Sequence, residues 1–233
     1  MSGRNVIFSP HCDDAFLAMG GYILQSPQDF HVVDIFGTCA WTTTDQNFTS
    51  EELTRINQSE ERAVAQKAGV GLTIYEYPEA LLRNYRKWNA KRLHSSDVAL
   101  AKNILETIKH HALGASRVYF PLAPGHHVDH VIVHNQMPVL YELLIDSGVE
   151  VYLYEDLPYS WYGDVEERIS TLKRHYTLKP TLIDISDVYV RKEALLSLYA
   201  SQLGEDELRK VKEYGASLKK DSYSEVLWQV LKS

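Results

Sequence analysis

The chain has 233 residues, 45% of them hydrophobic and 24% charged, with a formal net charge of -7 from 24 basic against 31 acidic side chains. That composition belongs to a globular chain with a real core, and the length suits one large α/β domain, so a single domain over residues 1–233 is expected. No Lys/Arg cluster offers a footprint for a phosphate backbone, which argues against nucleic acid, and no stretch approaches the ~18 apolar residues of a membrane helix. The cytoplasm is the expected compartment. Cys12 and Cys39 are the two cysteines and form no CxxC pair, which argues against a thiolate zinc site or a disulfide scaffold.

In chain order, Asn5–Ser9 (NVIFS) reads as a buried strand that stops at Ser9-Pro10 and delivers His11, Cys12, Asp13 and Asp14. A helical pattern follows over Asp14–Gln25. His31–Phe36 (HVVDIF) is the second strand, and a helix over Glu51–Ala68 ends where Gly69 can cap it. Thr73–Tyr77 (TIYEY) is the third strand. Ser95-Ser96-Asp97 supplies an N-cap for a helix over Ser96–Ala112. Arg117–Pro121 (RVYFP) is the fourth strand and runs into GHHVDHVIVH, which holds four of the ten histidines. A helix over Asp129–Asp146 and a strand at Val151–Tyr154 (VYLY) come next. The last third, from about Asp164, reads as mostly helical. Strands alternating with helices predict right-handed βαβ units: an α/β, Rossmann-like fold with a mostly parallel sheet flanked by helices.

In such a sheet, ligands gather outside the carboxyl ends of the strands. Two His/Asp groups fall at such ends, His11, Asp13 and Asp14 after the first strand and His127, Asp129 and His130 after the fourth. Catalytic zinc takes three protein ligands from His and Asp/Glu and keeps a position open for water. Two imidazoles and one carboxylate from this set meet that count. A further carboxylate can act as general base on water whose pKa the metal lowers toward ~7, and a histidine can stabilise the oxyanion and serve the leaving amine. Taken singly, each residue has a plainer reading. Asp13 or Asp14 alone would be a helix N-cap, His126 a loop residue, His130 and His134 two members of one helical face, and Cys12 a small buried side chain. The two clusters together, each closing a strand, favour metal-assisted hydrolysis. A nucleotide-binding module is disfavoured because no GxGxxG turn follows the first strand.

SPHCDDAFLAMGG resembles the first signature of the LmbE-like, or PIG-L, zinc-dependent de-N-acetylases, Pro/Ala-His-x-Asp-Asp followed by Gly-Gly. GHHVDH resembles the second, His-x-Asp-His, and the similarity runs over about the first two-thirds of the chain. The resemblance implies one Zn2+ per chain, or another divalent transition metal, and removal of an N-acetyl group, usually from a glucosamine-type sugar. It places His11, Asp14 and His130 as metal ligands and Asp13 as general base. His127 is implied to stabilise the oxyanion or protonate the amine, and Asp129 to orient an imidazole from outside the ligand set.

The sequence departs from the family at Cys12, often Pro or Leu there, which would leave coordination intact but could sensitise the site to oxidation. It departs again at Gly125, where some relatives carry a Tyr that helps to hold the oxyanion. Trp41 and Tyr159 are candidate substrate contacts that read equally as packing aromatics, and Arg83 and Arg86 read as solvated loop charges that could also meet an anionic group. The implied partner is a small or glycoconjugate N-acetyl substrate, and a homo-oligomer is compatible with the sequence. Two other readings stand beside this one: a metal-dependent amidohydrolase acting on a non-sugar amide, and a non-catalytic metal-binding α/β protein.

Overall fold

Val, Ile and Phe in Asn5–Ser9 bury this strand, β1, along its whole length, as expected for a parallel strand covered on both faces. The computed structural model describes residues 4–89 and 93–232. In chain order the elements are β1, α1 (Asp14–Gln25), β2 (Phe30–Asp34), α2 (Ser50–Ala68), β3 (Gly71–Ile74), α3 (Asp97–Ala112), β4 (Arg117–Pro121), α4 (Val128–His134) and α5 (Gln136–Asp146). They continue with β5 (Glu150–Tyr154), α6 (Val165–Leu172), β6 (Tyr176–Asp184), α7 (Tyr189–Leu196), α8 (Glu205–Ser217) and β7 (Ser224–Lys232).

The sheet order is β3-β2-β1-β4-β5-β7-β6, with β1 to β5 parallel and β7 antiparallel to both β5 and β6. Strand order reverses at β1, which pairs with β2 on one side and β4 on the other. That reversal opens the crevice in which α/β proteins hold their ligands. Register pairs Asn5 with Arg117 and Ile7 with Tyr119, so the carboxyl ends of β1 and β4 emerge side by side. The two sequence clusters therefore meet above the sheet.

Local chemistry explains most boundaries. Thr49 accepts from the Glu52 backbone while the Glu52 carboxylate accepts from Thr49 N–H, a capping box that starts α2, and Gly69 ends it at φ 81. Ser96 stands just before α3 but its side chain makes no cap bond. The strands β2 and β3 begin one and two residues earlier than expected, and both end early. Beyond them the chain turns so that Phe36 bridges Glu76 in antiparallel fashion.

The expected helix over Asp129–Asp146 is two helices. Pro138 has no N–H to give the carbonyl of His134, so α4 stops there and α5 starts afresh. The mostly helical last third also needs correction, since α6, α7 and α8 share it with β6 and β7. β6 is an edge strand, largely exposed and interrupted by Pro180, so it lacks the alternation that marks a half-buried strand. Among the described residues, no helix is long and apolar enough to cross a membrane.

His134 shows how this packing couples to pH. Its Nδ1–H donates to the Pro121 carbonyl at 2.7 Å, and burial together with Arg168 pushes its pKa down to about 3. The unfolded chain would protonate this ring near 6.5, so unfolding takes up a proton between these values. Stability is therefore full above pH 6.5 and falls as pH drops toward 3, by about 1.4 kcal/mol per pH unit from this residue. Urea titrations at pH 7 and pH 5 should show that loss, and His134→Gln should flatten the slope whatever it does to absolute stability.

Candidate metal centre and active site

The end of β1 is shaped by Ser9, whose hydroxyl donates to the His11 carbonyl at 2.7 Å and accepts from Ala15 N–H at 3.1 Å. Asp13 N–H closes onto the His11 carbonyl, giving a tight turn directly before α1. Asp13 occupies the N-cap position, yet its carboxylate makes no cap bond and instead faces a pocket. Asp14 folds back, so that its Oδ2 accepts from His11 N–H at 2.9 Å and lies 3.1 Å from His11 Nδ1. Neither aspartate caps the helix through its side chain, and the plainer reading of the pair is set aside.

From β4, the loop through Ala123 and His126 adopts positive φ at both residues, 59 and 55, before α4 begins. His127 is the N-cap of α4, its Nδ1 accepting from Asp129 N–H at 3.2 Å. One turn on, His130 points Nε2 at Asp14 Oδ2, 3.2 Å away, and Nδ1 at Asp156 Oδ1, 2.5 Å away. Asp129 turns to His11: its Oδ2 lies 3.0 Å from His11 Nε2 and accepts from Ala80 N–H, while Arg83 Nη1 sits 2.7 Å from Oδ1. His11 is thus held between two carboxylates.

Two ligand groups of metal-binding size result, His11 with Asp14 and His130, and His11 with His127 and Asp129. The first fits a cation better. Asp129 is already engaged by Ala80 and Arg83, and His127 Nδ1 by a backbone N–H. His130 Nε2, by contrast, is buried and meets only the Asp14 carboxylate among the described residues, at 3.2 Å. Two imidazoles and one carboxylate match the donor count of an open catalytic metal site.

The electrostatics agree. Burial disfavours charge on Asp14, but His130 and His11 outweigh it and hold Asp14 well below the usual carboxylate range. Burial also opposes charge on His130, yet Asp14 and Asp156 raise its pKa to about 9. The centre therefore draws positive charge to itself. Asp13 behaves oppositely: burial and the adjacent Asp14 charge push its pKa up to about 7. Burial, with His11 and His130 beside it, keeps His127 well below the ordinary imidazole value.

A pocket of about 170 Å3 opens on this cluster, lined by His11, Asp13, His127, Trp41, Glu79 and Trp88 among others. Of the expected substrate contacts, Trp41 lines it and is 46% exposed. Tyr159 is not among the residues that line it, but lies beside the cluster, its ring centroid 4.9 Å from that of His130 and 5.8 Å from that of His127. A Cβ at Gly125 would come within 2.9 Å of Tyr159, so the glycine is what lets this ring approach. Arg83 needs correction, since its guanidinium is buried against Asp97 and Asp129 and is not free to meet a substrate anion. Cys12 is the small buried side chain expected, but burial with Asp34 and Glu61 nearby pushes its thiol well above the usual range, the condition of an unreactive thiol and not of an oxidation-sensitive one. Native protein should leave Cys12 unlabelled by iodoacetamide, as read by peptide mass mapping.

Sequence reasoning did not assign Glu79, Trp88 or Asp156. Trp88 stacks on His127 with centroids 5.5 Å apart and planes 10° from parallel, and its carbonyl accepts from Val128 N–H. It lies in the loop after β3 and lines the pocket. Asp156 closes the strand β5, a third strand end beside the first two.

A His/Asp centre above the reversal point of a largely parallel, seven-stranded sheet defines an α/β enzyme of the Rossmann-like class. The sequence profile of the PIG-L family, described as GlcNAc-PI de-N-acetylase, matches residues 6–140. The chain belongs to that family, and the reaction that goes with it is hydrolysis of an amide carbon–nitrogen bond. It is 27% identical over 217 residues to 2'-N-acetylparomamine deacetylase of Streptomyces fradiae, covering 89% of this chain and 76% of the relative. Among solved structures, a deacetylase of the teicoplanin biosynthesis pathway superposes with a TM-score of 0.78 at 21% identity, covering 99% and 98% of the two chains. The A40926 pseudoaglycone deacetylase superposes with a TM-score of 0.75 at 24% identity, covering 100% and 98%.

Proposed function

We propose that this protein is a zinc-dependent hydrolase that removes the acetyl group from an N-acetylated amino sugar or its glycoconjugate. The observation that carries the reading is the His11–Asp14–His130 cluster with an untied carboxylate, Asp13, at its edge and facing the pocket. The family supports amide hydrolysis, and the Streptomyces fradiae relative is named for deacetylating a paromamine, an amino-sugar compound.

Zinc held by His11, Asp14 and His130 would supply Lewis acidity at the amide carbonyl and acidify the attacking water. The residues of the chain do the rest. Asp13, whose carboxylate forms no cap bond and faces the pocket, takes the proton from that water. His127, whose Nδ1 accepts a backbone N–H, carries its proton on Nε2 and can donate it to the acyl oxygen as charge develops there. As the carbon–nitrogen bond breaks, the proton that Asp13 took from the water passes to the departing amine, leaving acetate and a free amino sugar. Asp129 keeps the His11 ring in place, and Trp41 and Trp88 flank the pocket where a sugar ring would lie.

The test is acetate release, followed by proton NMR, from N-acetylated amino sugars. Activity should vanish on treatment with a chelator and return on adding zinc. Activity that persists in chelator-treated protein shown to be metal-free would refute the metal-dependent reading.

A further inference from the structure

Asp156 is 1% exposed, and its two carboxylate oxygens meet two donors from the segment that follows β4. His130 Nδ1 lies 2.5 Å from Oδ1, and Ala123 N–H donates to Oδ2 at 2.8 Å. Ala123 has φ 59, a left-handed conformation that a residue with a Cβ adopts at a cost, so the course of this loop is held from outside. The segment between the two contacts, Ala123 to His130, carries His127 and Asp129.

We propose that Asp156 is the positioning residue of the metal centre. It fixes the proton of His130 on Nδ1 and so presents an unprotonated Nε2 toward the ligand cluster. With its other oxygen it pins the start of the loop that bears His127. This rests on the reading of His11, Asp14 and His130 as metal ligands. With Nδ1 committed to Asp156, Nε2 is the nitrogen that faces Asp14, 3.2 Å away, and it is there that a bound cation would take the place of the proton.

The requirement for a carboxylate is strict. Both partners are donors, and only a carboxylate offers an acceptor to each. In Asp156→Asn one position becomes an NH2. If it faces Ala123, two donors oppose each other. If it faces His130, the ring must accept at Nδ1 and place its proton on Nε2, where the metal should bind. Carboxylates that orient ligand histidines typically matter about 10–100-fold in metal affinity.

The experiment compares zinc affinity of wild type and Asp156→Asn by competition with a chelating dye, on protein whose fold is checked by circular dichroism. Affinity should fall about 10–100-fold in the variant. Wild-type protein labelled with 15N histidine supplies a second readout that needs no variant: His130 should show a proton on Nδ1 and a zinc-shifted Nε2. A folded Asp156→Asn with undiminished affinity, or a wild-type His130 protonated on Nε2, overturns the inference while leaving the zinc hydrolase intact. Wild-type protein that takes up no zinc overturns both.

Discussion

Asp13→Ala is expected to retain wild-type zinc content and to lose activity by about 10²–10⁴-fold in kcat, the usual contribution of a positioned general base. The two effects separate because of how the turn after β1 divides its carboxylates. Asp14 is committed to His11 and His130, whereas Asp13 caps nothing through its side chain and lines the pocket. Removing the Asp13 carboxylate breaks no side-chain hydrogen bond among the described residues. It also relieves the repulsion from Asp14 that helps to raise the Asp13 pKa to about 7, so the thermal midpoint of the metal-free variant should hold or rise. Asp13→Asn, nearly the same shape without the basic oxygen, should behave alike. Normal turnover in either variant contradicts the assignment, and loss of zinc in both would move Asp13 into the ligand set.

His130→Ala should fail differently. It removes one of three ligands and strips Asp156 and Asp14, both buried, of their charge partner. Taking one member from a buried pair costs about 3–5 kcal/mol, so the variant should be clearly less stable than wild type. Its zinc content should fall to background. Wild type should gain stability on adding zinc, about 2.7 kcal/mol at a hundredfold excess over Kd, whereas His130→Ala should gain nothing. Thermal melts with and without zinc, set beside metal analysis, read both effects. A variant that still binds one zinc would mean that the second group, His11 with His127 and Asp129, holds the ion.

Much of this centre was legible in the sequence because its parts sit where strands end. Val, Ile and Phe marked β1 and β4, and the switch to Pro with His and Asp marked their carboxyl ends. The pairing of β1 with β4 then brought together residues more than a hundred positions apart. Asp156 was harder to assign. It also follows a strand, but its role depends on β5 lying beside β4, and a single aspartate in YEDLPYSW carries no metal-ligand spacing. Arg83 read as a loop cation, and nothing local to it announces two buried aspartates as partners. β6 and β7 went unread for a related reason. They pair antiparallel at the far edge of the sheet, where exposed positions and Pro180 blur the alternation on which strand reading depends.

The most direct test of the central claim measures bound zinc and released amine on one preparation, offered a panel of N-acetylated amino sugars and linear N-acetyl amides. One zinc per chain and release of amine from an amino-sugar substrate are expected, with release lost when zinc is removed. Protein without zinc, or zinc-loaded protein that hydrolyses none of these amides, would contradict that claim.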